Sequence, residues 1–243
     1  MKKVSLYGFA VLLGMATLFQ SCDDNDGYSV GDIAVDFVTT HVSGSGVLTF
    51  TGDAWGTIWP GAPLIICPRP ADGQRALMFF NPLYDNFQGY DVAVKVENIY
   101  PILTKQVEQL SAENEAEYGD DPVRITDAWV AGGHMNLIFH QRVPKNGPHR
   151  VSLVQNTQKE YDEDGYVHLE YRYKTNGDTL SNAVVRSTVS YNLSGLDMTD
   201  KKGIKMRIKS AVNGERVLTF DSMQQNRPTT TTSELDLVTT YVD

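Results

Sequence analysis

Apolar residues in this chain recur at every second position far more regularly than at every third or fourth, and that period points to strands. Tyr90, Val92, Val94 and Val96 alternate with Asp91, Ala93 and Lys95, and Val167, Leu169, Tyr171 and Tyr173 alternate with His168, Glu170 and Arg172. An extended chain points successive side chains to opposite faces, so each run can bury one face and wet the other. Shorter strand-like runs occur at 33–38, 47–50, 57–59, 76–80, 151–154, 186–193, 205–209 and 216–220. Turn formers lie between them: Pro60 with Gly61, Gly132 with Gly133, Asp164 with Gly165, and Asn213 with Gly214, the strongest hairpin signal of all. The expected fold class is mainly all-β.

One segment departs from this pattern. Leu103, Val107 and Leu110 stand at i, i+4 and i+7, the spacing of one helical face. Gly119 can cap such a helix and Pro122 bars its continuation. The spacing predicts a helical connector over 101–119. It divides the β tracts into a first domain, 32–100, whose five short strands and long loops fit a small barrel. The second, 120–223, has six or seven antiparallel strands at the spacing of a β-sandwich. Residues 224–243 differ again: four threonines at 229–232 follow Pro228, and 235–238 can add one edge strand.

The N-terminus reads as an export signal. Lys2 and Lys3 precede an apolar stretch at 4–19, and the small residue Ser21 stands before Cys22. This resembles a bacterial lipoprotein signal peptide, 1–21, which implies Cys22 as the lipid attachment site. Acyl chains anchor firmly because each buried CH₂ contributes about 0.8 kcal/mol. Residues 22–31 form a polar, flexible tether. Removing Lys2 and Lys3 from the 21 basic residues leaves 19 against 30 acidic ones, a net charge of −11. Such a chain repels nucleic acid and anionic head groups. Within 30–103 only Arg69, Arg75 and Lys95 face seven acids, so the barrel has no basic track for phosphates and nucleic acid is not an expected partner.

No catalytic constellation emerges. Five histidines are present; His134 and His140, six apart on one strand, would sit about 20 Å apart and cannot share an ion. His149 and His168 can approach across a sheet, but no acid or cysteine joins them at ligand spacing. No zinc-protease, nucleophile-elbow or phosphate-loop motif occurs. The acidic run before Gly165 lacks the closing carboxylate of a calcium loop. Neither an enzyme nor a cofactor nor a metal is expected. Cys67, in the apolar run 64–67, reads as a small buried hydrophobe. Trp59 is assigned to the core, and Trp55, after the turn at 51–53, is the candidate ligand-binding residue, placed to stack on a sugar.

The junction also carries a resemblance. Ile102-Leu103-Thr104-Lys105, the acidic stretch after it, Gly119, Asp121-Pro122-Val123-Arg124-Ile125 and Trp129 resemble the junction of the NigD-like lipoproteins of Bacteroidota. The tryptophan–proline run at 55–60 and the stretches 134–140 and 148–156 are similar to the same family, and the likeness extends from about 26 to about 220. It implies an N-terminal OB barrel, a C-terminal sandwich and a link to bacteriocin immunity. Acidic residues straight after Cys22 resemble the export signal of surface-exposed lipoproteins in Bacteroidota, implying an outer-membrane, cell-surface position, with a periplasm-facing one as the alternative. The expected function is that of a non-enzymatic cell-envelope lipoprotein acting through an unidentified protein partner, with the membrane engaged through its lipid. The alternative is a glycan-binding module using the exposed aromatics of the OB domain.

Overall fold

A computed structural model describes residue 28 and residues 31–63, 69–161, 163–178 and 182–221. The expected signal peptide, Cys22, nearly all of the tether, Cys67 and the tail 224–243 lie outside the described residues.

The first domain is a closed barrel. Strands β1 (Ala34–Val42), β2 (Leu48–Gly52), β3 (Gly56–Pro60), β4 (Arg75–Phe87) and β5 (Tyr90–Pro101) follow the order β1-β2-β3-β5-β4, and β4 returns to pair with β1. A parallel β3–β5 pair closes the ring and leaves no free edge. The alternation read from sequence fills it: Val92 and Val94 meet Val38, Phe50, Ile58, Ala76, Met78 and Phe80 inside. Pro82 sits within β4 at a register shift, where its missing N–H costs the ladder least.

The second domain is a two-sheet sandwich. Its strands are β6 (Leu103–Gln106), β7 (Glu108–Leu110), β8 (Arg124–Ala131), β9 (His134–Arg142), β10 (Arg150–Asn156), β11 (Tyr166–Lys174), β12 (Val184–Asn192), β13 (Gly203–Ser210) and β14 (Gly214–Asp221). One sheet runs β14-β13-β11-β10-β7 and the other β6-β12-β9-β8. Leu137, Phe139, Leu153, Leu169, Tyr171, Val189, Tyr191 and Met206 fill the space between them. The two-glycine turn joins Ala131 to its partner His134 with φ of +56° and +72°, the primed-turn geometry that matches sheet twist. The Asn213-Gly214 signal marks the β13–β14 hairpin, paired from Ser210–Gly214 onward.

The predicted helix over 101–119 is not there. Its first half is a strap of two strands that changes sheet at Val107, running parallel along β12 and then along β10. The three apolar positions that suggested a helical face serve three different surroundings. Leu103 is 55 % exposed, Val107 packs on the sandwich core, and Leu110 is buried with Tyr118 and Val154. Ile102, Thr104 and Val107 are β-branched and favour extended backbone, and β12 and β10 supply the hydrogen-bond partners. Only one helical turn remains, α1 (Glu115–Tyr118), closed by Gly119, whose N–H donates to the Glu115 carbonyl at 3.3 Å. The strap also raises the strand number above the expected six or seven. It brings parallel pairs into a sandwich expected to be antiparallel, and β11–β13 adds another.

Candidate functional site

Asn136, Ile138 and Ser190 alternate along β9 and β12 with core residues, so they face away from the sandwich interior and toward the barrel. There they meet Arg75, the first residue of β4, which is fully buried. Its Nη1 donates to Asp53 Oδ1 at 2.9 Å and to Thr39 Oγ1 at 3.1 Å. Its Nη2 donates to Asp53 Oδ2 at 2.6 Å and, across the domain boundary, to Asn136 Oδ1 at 3.2 Å. Ser190 Oγ donates to the same Asn136 oxygen at 2.7 Å, and Trp129 Nε1 donates to Asp53 Oδ2 at 3.2 Å. Phe37 meets the Trp129 ring edge-on at 4.7 Å, in an apolar patch completed by Ala131 and Ile138. A forked guanidinium–carboxylate pair is stronger and more directional than a neutral bond, and burial makes it intolerant of losing either partner.

A second acid sets the turn that presents Asp53. Asp36, on β1, accepts from the backbone N–H groups of Phe37, Ala54 and Trp55. Burial pushes its carboxyl up in pKa, the N–H groups of Ala54 and Trp55 oppose that, and the charge of Asp53 adds to it.

Beside this clamp lies a cleft of about 900 Å³. Thr51, Gly52, Asp53 and Gly56 form its barrel wall; Val130, His134, Leu193, Met198, Ile204 and Phe220 contribute to its sandwich wall. A mainly apolar concavity with a few polar groups is the usual form of a binding site. His134 is 5 % exposed there, its Nδ1 lying 2.8 Å from the Gly132 carbonyl. A carbonyl can only accept, so the proton sits on Nδ1 and Nε2 keeps its lone pair, with no hydrogen-bond partner among the described residues. Burial, reinforced by the Arg75 charge, lowers the pKa of the ring and keeps it neutral.

The residues singled out from sequence fall elsewhere. Trp55 is half-buried, edge-on to Phe80 at 5.3 Å and 6.1 Å from Tyr28, with part of its ring packed against the barrel core. Trp59 is likewise half-buried, 5.2 Å from Tyr90. His149 and His168 do not approach each other. His149 Nδ1 lies 2.6 Å from the Tyr173 hydroxyl at one end of β11, whereas His168 stacks on Tyr161 at the other. Among the described residues no three ligand-type side chains gather as a metal site. Nothing in the sequence joins Arg75, Asp53 and Asn136 into one site; the one available signal is a charged residue directly ahead of the apolar run 76–80.

The two halves that meet at this clamp correspond to two recognised domains. Residues 40–102 match the NigD-like N-terminal OB domain, and residues 106–222 match the NigD-like C-terminal beta sandwich domain. The chain belongs to the NigD-like family. No curated protein matches it. A protein of unknown function from Bacteroides vulgatus superposes with a TM-score of 0.73 at 20 % identity, over 84 % of this chain and 99 % of that one. A protein from Parabacteroides distasonis, provisionally described as toxin-related, gives 0.65 at 28 % identity, over 77 % and 92 %. A NigD-like immunity protein from Bacteroides caccae gives 0.55 at 17 %, over 79 % and 94 %. In this NigD-like chain the side chains of the clamp spend most of their hydrogen-bonding capacity on one another. What the arrangement does is hold the OB and sandwich domains in one geometry, with a preformed cleft between them.

Proposed function

We propose that this NigD-like protein is a non-enzymatic outer-membrane lipoprotein, attached through Cys22, that binds another protein in an immunity-type role. The observation that carries the reading is the cleft whose walls come from two domains fixed by the Arg75–Asp53–Asn136 clamp. A preformed apolar surface loses little conformational freedom on binding, so more of the contact energy survives as affinity. The immunity description of the Bacteroides caccae relative and the toxin-related description of the Parabacteroides distasonis one support the same role.

Met198→Trp would fill the cleft from a half-buried position on its sandwich wall. In cross-linked pull-downs of the tagged mature protein from intact native cells, a reproducible protein partner is expected with the wild type and not with Met198→Trp. An unchanged partner set, or recovery of carbohydrate alone, overturns the reading. Acyl-chain labelling of the expressed protein should vanish in Cys22→Ala, and persistent label would refute lipid attachment there.

A further inference from the structure

The outer face of the five-stranded sheet carries a feature that the protein-binding reading does not use. Tyr161 and His168 stack with ring centroids 4.5 Å apart and planes 17° apart. The pair stands between two hollows, one of about 940 Å³ and one of about 390 Å³, and both residues line each. The platform is locked from beneath. The Tyr161 hydroxyl donates to Glu170 Oε1 at 3.1 Å, and that fully buried carboxylate also receives Lys159 Nζ at 2.8 Å, Asn156 Nδ2 at 3.2 Å and Arg172 Nη2 at 2.5 Å. His168 Nε2 lies 3.1 Å from Asp164 Oδ1. Two aromatic rings therefore hold one orientation before any ligand arrives, which lowers the ordering cost of binding.

The wall of the larger hollow decides the ligand class. It carries the carboxamides Gln109 and Gln155, joined to each other at 3.0 Å, together with two acids, Glu163 and Asp197, and two bases, Lys159 and Lys201. Lys159 is already engaged by Glu170, and among the described residues Glu163, Asp197 and Lys201 leave both signs on the wall, so it selects no single class of ion. Carboxamides both donate and accept, and an aromatic face takes up apolar C–H surface. A neutral ring molecule with one apolar face and many hydroxyls satisfies all of these groups at once. We propose that this hollow is a carbohydrate-binding subsite in which a neutral sugar ring stacks on the Tyr161–His168 pair. It stands independently of the protein-binding role, and it relocates sugar binding from Trp55 to the sandwich.

Affinity electrophoresis of the whole mature chain through gels containing dextran, mannan, laminarin or xylan tests it, with chondroitin sulfate as the anionic comparison. At least one neutral polymer is expected to retard the wild type. His168→Ala and Gln155→Ala should each weaken that retardation at least tenfold, and Trp55→Ala should leave it unchanged. Gln155 makes no contact with Glu170 among the hydrogen bonds above, so its variant separates ligand contact from damage to the buried network. Retardation by no neutral polymer, by chondroitin sulfate alone, or by a neutral polymer equally in all variants overturns the proposal.

Discussion

Arg75 is fully buried, and among the described residues its ion pair is with Asp53. Arg75→Met should lower stability by roughly 3–5 kcal/mol in urea denaturation, because Asp53 is left nearly buried with its counter-ion gone. Arg75→Lys should not rescue it: an ammonium cannot fork onto both Asp53 oxygens and still reach Asn136. Glu170 makes a pH-dependent case. Burial pushes its carboxyl up, but the Lys159 hydrogen bond, the Arg172 charge and the Asn156 amide outweigh this and hold its pKa at about 2, below its ordinary 4.5. A depressed carboxylate stabilises the fold above its unfolded pKa and loses that contribution as pH falls through the folded one. Glu170→Gln should therefore cost on the order of 3 kcal/mol at pH 7, and its difference from wild type should close between pH 4.5 and about 2. Urea midpoints across that range check it; a constant gap would count against the assignment. Neither residue announced itself in the sequence. Alternation placed Glu170 on a wet face, and Lys159, Tyr161, Asn156 and Arg172, gathered around its carboxylate, make that face an interior. Arg75 depends on Asp53 and Asn136, which no local pattern connects to it.

At the scale of elements, period-two runs and glycine turns are legible in the sequence because both are local. Val92 and Val94 do line the barrel, and Gly132 with Gly133 does turn the β8–β9 hairpin. The strap is not legible in the sequence, because three apolar residues over so short a span fit a helix as well as a chain that changes sheet. What decides between them is β12 and β10, far along the sequence. The β13–β14 pair offers a sharp test. Gly203 has φ +154° and pairs with Asp221, and a Cβ placed there would drive into the Phe220 backbone carbonyl. Backbone atoms cannot swing aside as a side chain can, so Gly203→Ala should lose about 2 kcal/mol or more. A thermal midpoint within a degree of wild type would show that the strand end yields.

For the whole molecule, the division into barrel and sandwich was visible in the sequence, but their apposition was not. Phe37 and Trp129 come from different domains and share one apolar patch beside the clamp. The two domains should therefore unfold together: tryptophan fluorescence and far-ultraviolet circular dichroism should trace one coincident transition. Phe37→Ser should split the traces, and two transitions in the wild type would mean that the interface does not couple the domains.

The strap also orders events in time. The barrel draws every strand from 34–101 and can close as soon as Pro101 has emerged. Leu103 pairs with Val189 and Glu108 with Val154, so β7 and then β6 must wait for partners made much later. Closing loops of that length slows the search, and an unpaired strand is open to any other strand it meets. The barrel is thus a finished platform onto which the sandwich assembles, and the strap beside it is the stretch longest exposed to mispairing in a newborn chain.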